Sequence, residues 1–480
     1  MFEFIKRFFR RKKMENVQIT EVQMIIRDYF NSKNYTDKKH GIEYYRGKHK
    51  ILNRKREAIG QDGRLQVIDN LPNNRLIDNQ YKKLVKQKVN YVLGKPLTVQ
   101  TDNEDYSKIL NDYFDKSFLR ILKRVGTDVY NTGLGFLYVY YGEDNKLKFK
   151  RLNSEECIPV WKNNEHDELD YLIRVYGVKT FKNGNYDYKT YVEIYTKNGM
   201  QSYKMDGQSY AMNYIETKSY MNLTTGEEGE EEVYNWQKLP IIAFRADELE
   251  QSLLKRVKGL QDALNELISD FANNMQENNR NTILILKEYD GENLGEFRKN
   301  LNTFGAVKVK NDGGLEKLEV TVNSSNYESI VNLLKKAIME NGGGFDSKSD
   351  TLGNNPNQLN IRSMYSDIDL EANDLETEFQ ASLEELLWFI NRDLENKGNG
   401  NNDSEEVEFI LNRDILINES QAISDIQASV GILSKETLVV QHPWTTDAKA
   451  ELERLESEKR ENIEDYGGFR DHKHEEDKEG

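Results

Sequence analysis

NGGGFDSKSDTLGNNPNQLN, residues 341–360, holds three consecutive glycines, one proline and few large apolar side chains. It lies between two stretches of strong helical periodicity. A loop of about 15 or more residues with no structure of its own is uncommon inside a compact domain, and where found it is usually functional or disordered. The stretch reads as a loop that two helices hold out into open space, with glycines that let the backbone yield.

Working outward, Ile361, Met364, Ile368, Ala372, Leu375, Phe379, Leu383, Leu386 and Ile390 recur at steps of three and four. They predict one helix over 361–394, roughly 50 Å long at about 1.5 Å per residue. Between Arg362 and Arg392 it has no lysine or arginine, but it carries Asp367, Asp369, Glu371, Asp374, Glu376, Glu378, Glu384 and Glu385. Upstream of the loop, Ile330, Val331, Leu334, Ala337 and Ile338 predict a helix over 326–340. Before that, Leu249, Leu253, Val257, Leu260, Leu264, Leu267, Phe271 and Met275 form one apolar stripe of about seven turns. It is entered from a strand, LPIIAF (239–244). Between these two helices sits a small αβ module. Its strands are NTILILKEY (281–289) and FGAVKVKN (304–311), with Gly313 and Gly314 turning into a third, LEKLEVTV (315–322).

Nearer the N-terminus, Val17, Val22, Ile25, Ile26 and Tyr29 predict a helix over 17–30. The polar, basic stretch 40–57 reads as a solvated loop whose charge could meet phosphate. A helix over 79–93 is capped by Gly94 and stopped by Pro96, and PLTVQT after it is strand-like. Residues 106–130 read as one helix, broken by NTGLG (131–135) before the strand FLYVYY. Short strands repeat from 146 to 244, with asparagine–glycine hairpin signals at 183–184 and 198–199. TTGEEGEEE (224–232) is too acidic to pack and reads as a surface loop. After the long acidic helix come a strand, EVEFILN (406–412), and helices over 419–432 and 447–463. Ser434 to Thr437 and His442 to Trp444 link those two helices. The tail 471–480 is charged and reads as disordered.

The 480 residues are 31% charged and 37% hydrophobic, with 27 tyrosines and only 6 prolines, which suits long helices in a soluble chain. A net charge of −15 argues against a general nucleic-acid coat. Cys157 is the only cysteine, so an intramolecular disulfide and an all-thiolate metal site are excluded, and assembly in a reducing cytoplasm is the simple reading. No run of about 18 apolar residues is present to span a membrane. MFEFIKRFFRRKK (1–13) lacks the features of a signal peptide. It reads as an arm that pins onto a neighbouring subunit or an acidic surface, with an amphipathic membrane-surface helix as the alternative.

Enzyme motifs fail. There is no P-loop, no HExxH and no G-x-S-x-G. Gly133 and Gly135 follow a helix and precede a strand, the reverse of a dinucleotide fingerprint. His40, His49, His166 and His442 are scattered, and His472 with His474 sits in the charged tail. Asp367 and Asp369 point apart on a helix, whereas Asp367, Glu371 and Asp374 share a face. That face fits an acidic helix surface better than a two-metal site. No catalytic residue, metal or cofactor is expected.

The order of helix, αβ insert, helix, loop and long helix resembles the portal proteins of tailed bacteriophages. NYVLGKPLTVQ (90–100), VYNTGLGFLYVYY (129–141), RLNSEECIPVW (151–161), LPIIAF (239–244) and SLLKRVKGLQDALNELISDFANNMQ (252–276) carry the resemblance, which extends over about 35–460. It is strongest to portals of long-tailed phages of Gram-positive hosts. The resemblance implies an α+β portal fold without catalytic activity, in a cyclic ring of about twelve subunits. The ring would be assembled in the host cytoplasm and placed at one vertex of the virion capsid. Double-stranded DNA would pass through its channel in packaging and ejection. Terminase motor, head-completion adaptor, major capsid and scaffolding proteins would be its partners.

By position, 1–245 is the N-terminal part of the wing, 246–281 a stem helix, 282–324 the clip and 325–341 the second stem helix. The tunnel loop is then 342–360, the long wing helix 361–402, and the crown with its tail 403–480. Lys348, Asn354, Asn355 and Gln358 would lie nearest the DNA. Lys287, Arg298, Lys299, Lys308, Lys310 and Lys317 of the clip would meet an acidic partner or the DNA at the exit. A channel for sliding DNA should hold phosphates loosely, because each Lys or Arg contact adds salt-dependent affinity. The helix without basic residues beside the loop suits that. The competing readings are a metal-dependent nucleic-acid-processing enzyme using the acidic helix, and an acidic scaffold held at a membrane by Phe2, Phe4, Phe8 and Phe9.

Overall fold

The computed structural model describes residues 18–59, 63–68, 71–182, 184–207, 209–224, 231–277, 283–289, 309–318, 324–345, 358–413, 419–445 and 451–459, with isolated positions between. The basic arm 1–13 and the tail 471–480 lie outside the described residues. The chain is mixed α+β and divides into two compact units, one of 1–344 with 370–413 and the other of 345–369 with 414–480.

In the first unit, α1 (Ile19–Phe30) is followed by α2 (Lys33–Tyr45). The Ser32 hydroxyl accepts from the Tyr35 amide and caps α2. This corrects the loop expected over 40–57, whose first part is helix and whose Lys50–Asn53 is a 3₁₀ turn. The aliphatic periodicity of α2 is weak because its buried face is Lys38, Gly41, Ile42 and Tyr44. At Gly41 a Cβ would lie 1.9 Å from the Asn131 carbonyl oxygen, so α2 meets that backbone directly. β1 (Glu57–Ile59) and β2 (Leu65–Val67) form a small antiparallel pair.

α3 (Gln80–Leu93) starts where the Asn79 side chain accepts from the Lys82 amide. Gly94 caps it with a right-handed φ of −71°, so the stop comes from Pro96 rather than from a left-handed glycine. β3 (Thr98–Gln100) follows. The helix expected over 106–130 is two, α4 (Glu104–Tyr113) and α5 (Lys116–Thr132). Asp115, accepting from the Phe118 amide, starts the second. Gly133, at φ +87°, ends α5 as expected.

The strands β4 (Leu134–Tyr141), β5 (Leu147–Leu152), β6 (Cys157–Trp161), β7 (Leu169–Lys182), β8 (Asn185–Thr196), β9 (Gly199–Met205), β10 (Met212–Lys218), β11 (Met221–Thr224), β12 (Glu231–Tyr234) and β13 (Ile241–Arg245) come next. One sheet has the order β10-β9-β8-β7-β6 and a second β13-β4-β5, all antiparallel. Both asparagine–glycine signals fall at hairpins, β7–β8 and β8–β9. Val22 and Ile26 of α1 cover Ile173, Val175, Val192, Ile194, Tyr203 and Met205 of the larger sheet. The acidic stretch 224–232 joins β11 to β12, with Thr224 opposite Glu231.

α6 (Leu254–Glu277) begins later than the stripe suggests, leaving Leu249 exposed in the preceding loop. In the insert, β14 (Ile283–Tyr289) pairs with β15 (Val309–Leu318). The turn expected at Gly313 and Gly314 is absent, since β15 runs straight through both glycines. Lys287 faces Gly314 while Tyr289 faces Val309, so the intervening residues of β15 bulge. Paired glycines inside a strand serve a bulge as readily as a turn. α7 (Ser324–Asn341) returns from the insert, and its aromatic Tyr327 stacks on Phe271 of α6 at 3.9 Å.

α8 (Gln358–Asn396) extends the predicted helix at both ends. Ala372, Leu375, Phe379, Leu383, Leu386 and Ile390 are all buried, as their spacing requires. Phe379 packs edge-on to Phe244 at 5.0 Å, and the Ser382 hydroxyl donates to the Ala243 carbonyl, which fixes α8 on β13. β16 (Glu408–Ile410) pairs with β3. In the second unit, α9 (Glu419–Ala428) is shorter than expected, and α10 (Lys435–Gln441) fills part of the link between the two expected helices. Ser434 caps α10 by accepting from the Thr437 amide. A further helix covers 451–459. No described helix is long and apolar enough to cross a membrane.

Candidate functional site

The opening stretch starts as a built structure. The Gly343 amide donates to the Glu340 carbonyl at 3.1 Å and the Gly344 amide to the Met339 carbonyl at 2.9 Å. With Gly343 at φ +60°, this is the Schellman arrangement that satisfies the last carbonyls of α7. A Cβ on Gly342 would lie 2.1 Å from a Leu84 methyl, and one on Gly344 2.4 Å from the other. On Gly343 it would lie 1.9 Å from the Glu371 carboxylate. The glycines therefore allow close approach to α3 and α8, which corrects the expectation that they serve pliancy alone.

Glu371 joins these elements. Arg256 of α6 donates to it at 2.7 Å, and Lys88 of α3 also donates to it. Arg256 Nε donates to the Asn341 carbonyl at 2.9 Å, closing the end of α7. Lys88 is 1% exposed and lies 5.7 Å from the Tyr130 ring centre. Burial pulls its ammonium below the ordinary lysine range, against the pull of Glu371. Burial pushes Glu371 up, but hydrogen bonds and charge from Arg256 and Lys88 leave its carboxyl below the ordinary range.

A second joint holds the extended segment 74–79 and the first turn of α3 to α6. The Tyr81 amide donates to Gln261 Oε1 at 3.0 Å, Asp78 to Asn265 Oδ1 at 3.1 Å, Leu76 to Ser269 Oγ at 2.9 Å and Asn74 to Asn273 Oδ1 at 2.7 Å. All four helix residues are fully buried. Between the rungs at Asp78, Leu76 and Asn74, two residues of extended chain advance about 6.6 Å and one four-residue step on a helix about 6.0 Å, so alternate amides meet every fourth side chain, while the step to Tyr81 spans three residues across the start of α3. Asn265 also donates to His49 Nδ1, whose Nε2 then donates to the Tyr44 carbonyl. Burial pulls His49 below its ordinary value and keeps the imidazole neutral.

Glu371 and His49 figure in the sequence reading, but neither Lys88 nor the buried polar row of α6 does, although two signals were there. Lys88 stands in the apolar row of α3, and Gln261, Asn265, Ser269 and Asn273 recur every four residues beside the apolar stripe of α6.

The acidic helix is only partly a bare acidic face. Glu376 pairs with Arg413 at 3.0 Å and Glu378 with Arg245 at 3.1 Å, while Asp367, Asp374 and Glu384 are exposed. Glu371, which a metal site would need, is committed to two cations. Among the described residues no group of three His, Cys, Asp or Glu side chains could hold a metal.

Of the loop residues expected near DNA, Lys348, Asn354 and Asn355 lie outside the described residues, and Gln358 is the first residue of α8. Arg298 and Lys308 of the insert also lie outside them. Lys287 is on β14 and Lys317 on β15, Lys299 is exposed, and Lys310 is exposed on β15 within the bulge.

A family model described as "Phage portal protein, SPP1 Gp6-like" matches residues 29–465. The chain is 28% identical over 437 residues to the portal protein of Bacillus phage SPP1, covering 90% of this chain and 85% of that protein. It is 26% identical over 428 residues to the portal protein of Clostridium phage phiCD119, covering 86% and 90%.

Proposed function

Because the chain belongs to the SPP1-like family of phage portal proteins, structural virion components of the capsid vertex and not enzymes, we propose that about twelve copies close into a ring around double-stranded DNA. The ring is the conduit for packaging and ejection. It docks the terminase motor first and the head-completion adaptor later, and it meets capsid and scaffolding proteins at the vertex. The observation that supports this best is the extent of the family match, which runs through α6, the insert, α7, the loop and α8.

In this reading the subdomains follow the sequence map: wing 1–245 and 361–402, stem 246–281 and 325–341, clip 282–324, tunnel loop 342–360 and crown 403–480. The clip lysines and arginine, Lys287, Arg298, Lys299, Lys308 and Lys310, meet the motor, the adaptor or the emerging DNA. Lys348, Asn354, Asn355 and Gln358 face the DNA. The Schellman turn and the Arg256–Glu371–Lys88 joint support the loop reading, because they fix the loop's first residues, 342–344, against α3 and α8.

Negative-stain imaging of the purified protein tests the ring. Monomers or dimers at every protein and salt concentration would sink the reading. Deleting residues 346–357, which spares the glycine anchor, should leave rings intact and abolish DNA packaging. Normal packaging by such rings would remove the loop's role.

A further inference from the structure

The β7–β8 hairpin outgrows its sheet. β6 pairs with β7 only over 169–174, and β9 pairs with β8 only over 190–196. β7 and β8 continue to pair with each other out to Lys182 and Asn185. From Val178 and Lys189 outward, the hairpin is a two-stranded ribbon with both edges unpaired among the described residues.

The ribbon has one aromatic face. Phe181 lies opposite Tyr186 and Lys179 opposite Tyr188, so all four side chains project to the same side. By alternation this is the side of Val175, Val192 and Ile194, which α1 covers nearer the sheet and leaves open at the tip. Phe181, Tyr186 and Tyr188 are 64–71% exposed. They are nevertheless ordered among themselves. Phe181 packs edge-on to Tyr186 at 5.4 Å, and Lys179 Nζ sits 3.6 Å from the Tyr186 ring centre. The cation on this face is Lys179, whereas Lys189 alternates to the opposite face and lies 3.7 Å from Asp187. An exposed aromatic patch on an unpaired ribbon is the signature of an unmade contact.

A groove on the same unit has the opposite character. It lies between the β3–β16 pair and α8 and has a volume of about 720 Å³. Val99 and Phe409 line its floor, and Asp102, Glu384, Glu406 and Glu408 line its walls. No lysine or arginine lines it. All four carboxylates are exposed, and none is in an ion pair among the described residues.

We propose that the aromatic, lysine-bearing tip of the β7–β8 ribbon of one copy seats in the acidic groove beside β3 and β16 of the next copy. The inference rests on the ring reading. A ring needs a heterologous contact, in which each copy presents two different and complementary patches. The tip and the groove are such a pair. The aromatic rings enter the groove while Lys179 meets its carboxylate walls, and the opposite charges select the register. The occupant is therefore a second copy of this chain, rather than a nucleic acid, which the carboxylates would repel.

The test places Tyr186→Cys and Glu406→Cys in one chain. The native Cys157 is fully buried and stays in place. Mild oxidation of assembled protein should give a denaturing-gel ladder of dimers and higher species that neither single variant gives. In a second test, Lys179→Glu should raise the concentration needed for assembly by about tenfold, and adding Glu406→Lys should restore it. Either result supports the contact. Rings seen by imaging that show neither the ladder nor the charge effect overturn the contact and leave the ring reading standing. Absence of rings together with both negative results overturns both. A ladder without rings keeps the contact and removes the ring.

Discussion

At Gly343 the backbone is left-handed and the space where a Cβ would sit is filled by Glu371. Gly343→Ala should therefore destabilise the first unit by about 1–3 kcal/mol, read from chemical denaturation. Loss of Glu371 acts differently. Glu371→Gln leaves the Lys88 ammonium buried without a counter-charge, at a cost of about 3 kcal/mol. Lys88→Met in the same chain should recover most of that cost, because a buried charge is then no longer stranded. The His49 joint gives the pH dependence. Its folded pKa is depressed below 6.5, so the unfolded chain binds the proton first as pH falls. Stability contributed by the neutral ring is complete above that value and declines on acidification below about pH 6.5. Denaturation midpoints at pH 7.5 and 5.5 should differ in that direction, and His49→Gln should shrink the difference.

The long regular elements were legible in the sequence because their signal is local. The aliphatic steps of α8 and the asparagine–glycine hairpins depend on neighbours within a few residues. What could not be read depended on partners far along the chain. α2 hides because its buried face is a lysine and a glycine, and the meaning of Gly41 lies in Asn131. The paired glycines of the insert announced a turn, yet register with β14 turned them into a bulge. The three glycines at the loop's start were legible as important, but their reason, contact with Leu84 and Glu371, was not. The ladder on α6 offers a direct measurement. Asn265→Ala orphans the buried Asp78 amide and one nitrogen of His49, so it should cost about 3 kcal/mol. Amide exchange across 74–81 should accelerate more than exchange in α8.

For the whole molecule, the proposed role as a conduit requires that a polyanion pass without being gripped. The net charge of −15 and the lack of basic residues in α8 between Arg362 and Arg392 favour weak, salt-insensitive contact. If rings bind duplex DNA in their channel, the slope of log affinity against log salt should be far shallower than the roughly −10 of a tight phosphate binder. A steep slope would mean that basic groups line the path and that the acidic helix faces elsewhere. The family could be recognised in the sequence because its motifs stand in order along the chain, and the match to a relative at 28% identity covers 90% of it. In the proposed ring, which copy touches which could not be read in the sequence, because an interface is written on two surfaces that the chain order does not bring together.

The match between segment 74–78 and α6 works like a vernier. Two scales of slightly different pitch coincide near one mark and drift by about 0.6 Å at each further one. Such a device cannot be long. It ends at Asn273, whose Nδ2, like Asn73 Oδ1 beside the last rung, finds no hydrogen-bond partner among the described residues. It also cannot tolerate a change of count. One residue inserted between Asn74 and Asp78 would turn the next amides away from the helix and leave buried side chains on α6 without donors, whereas two residues would restore the phase and strand only the last rung. Tolerance of insertions here should therefore alternate between odd and even.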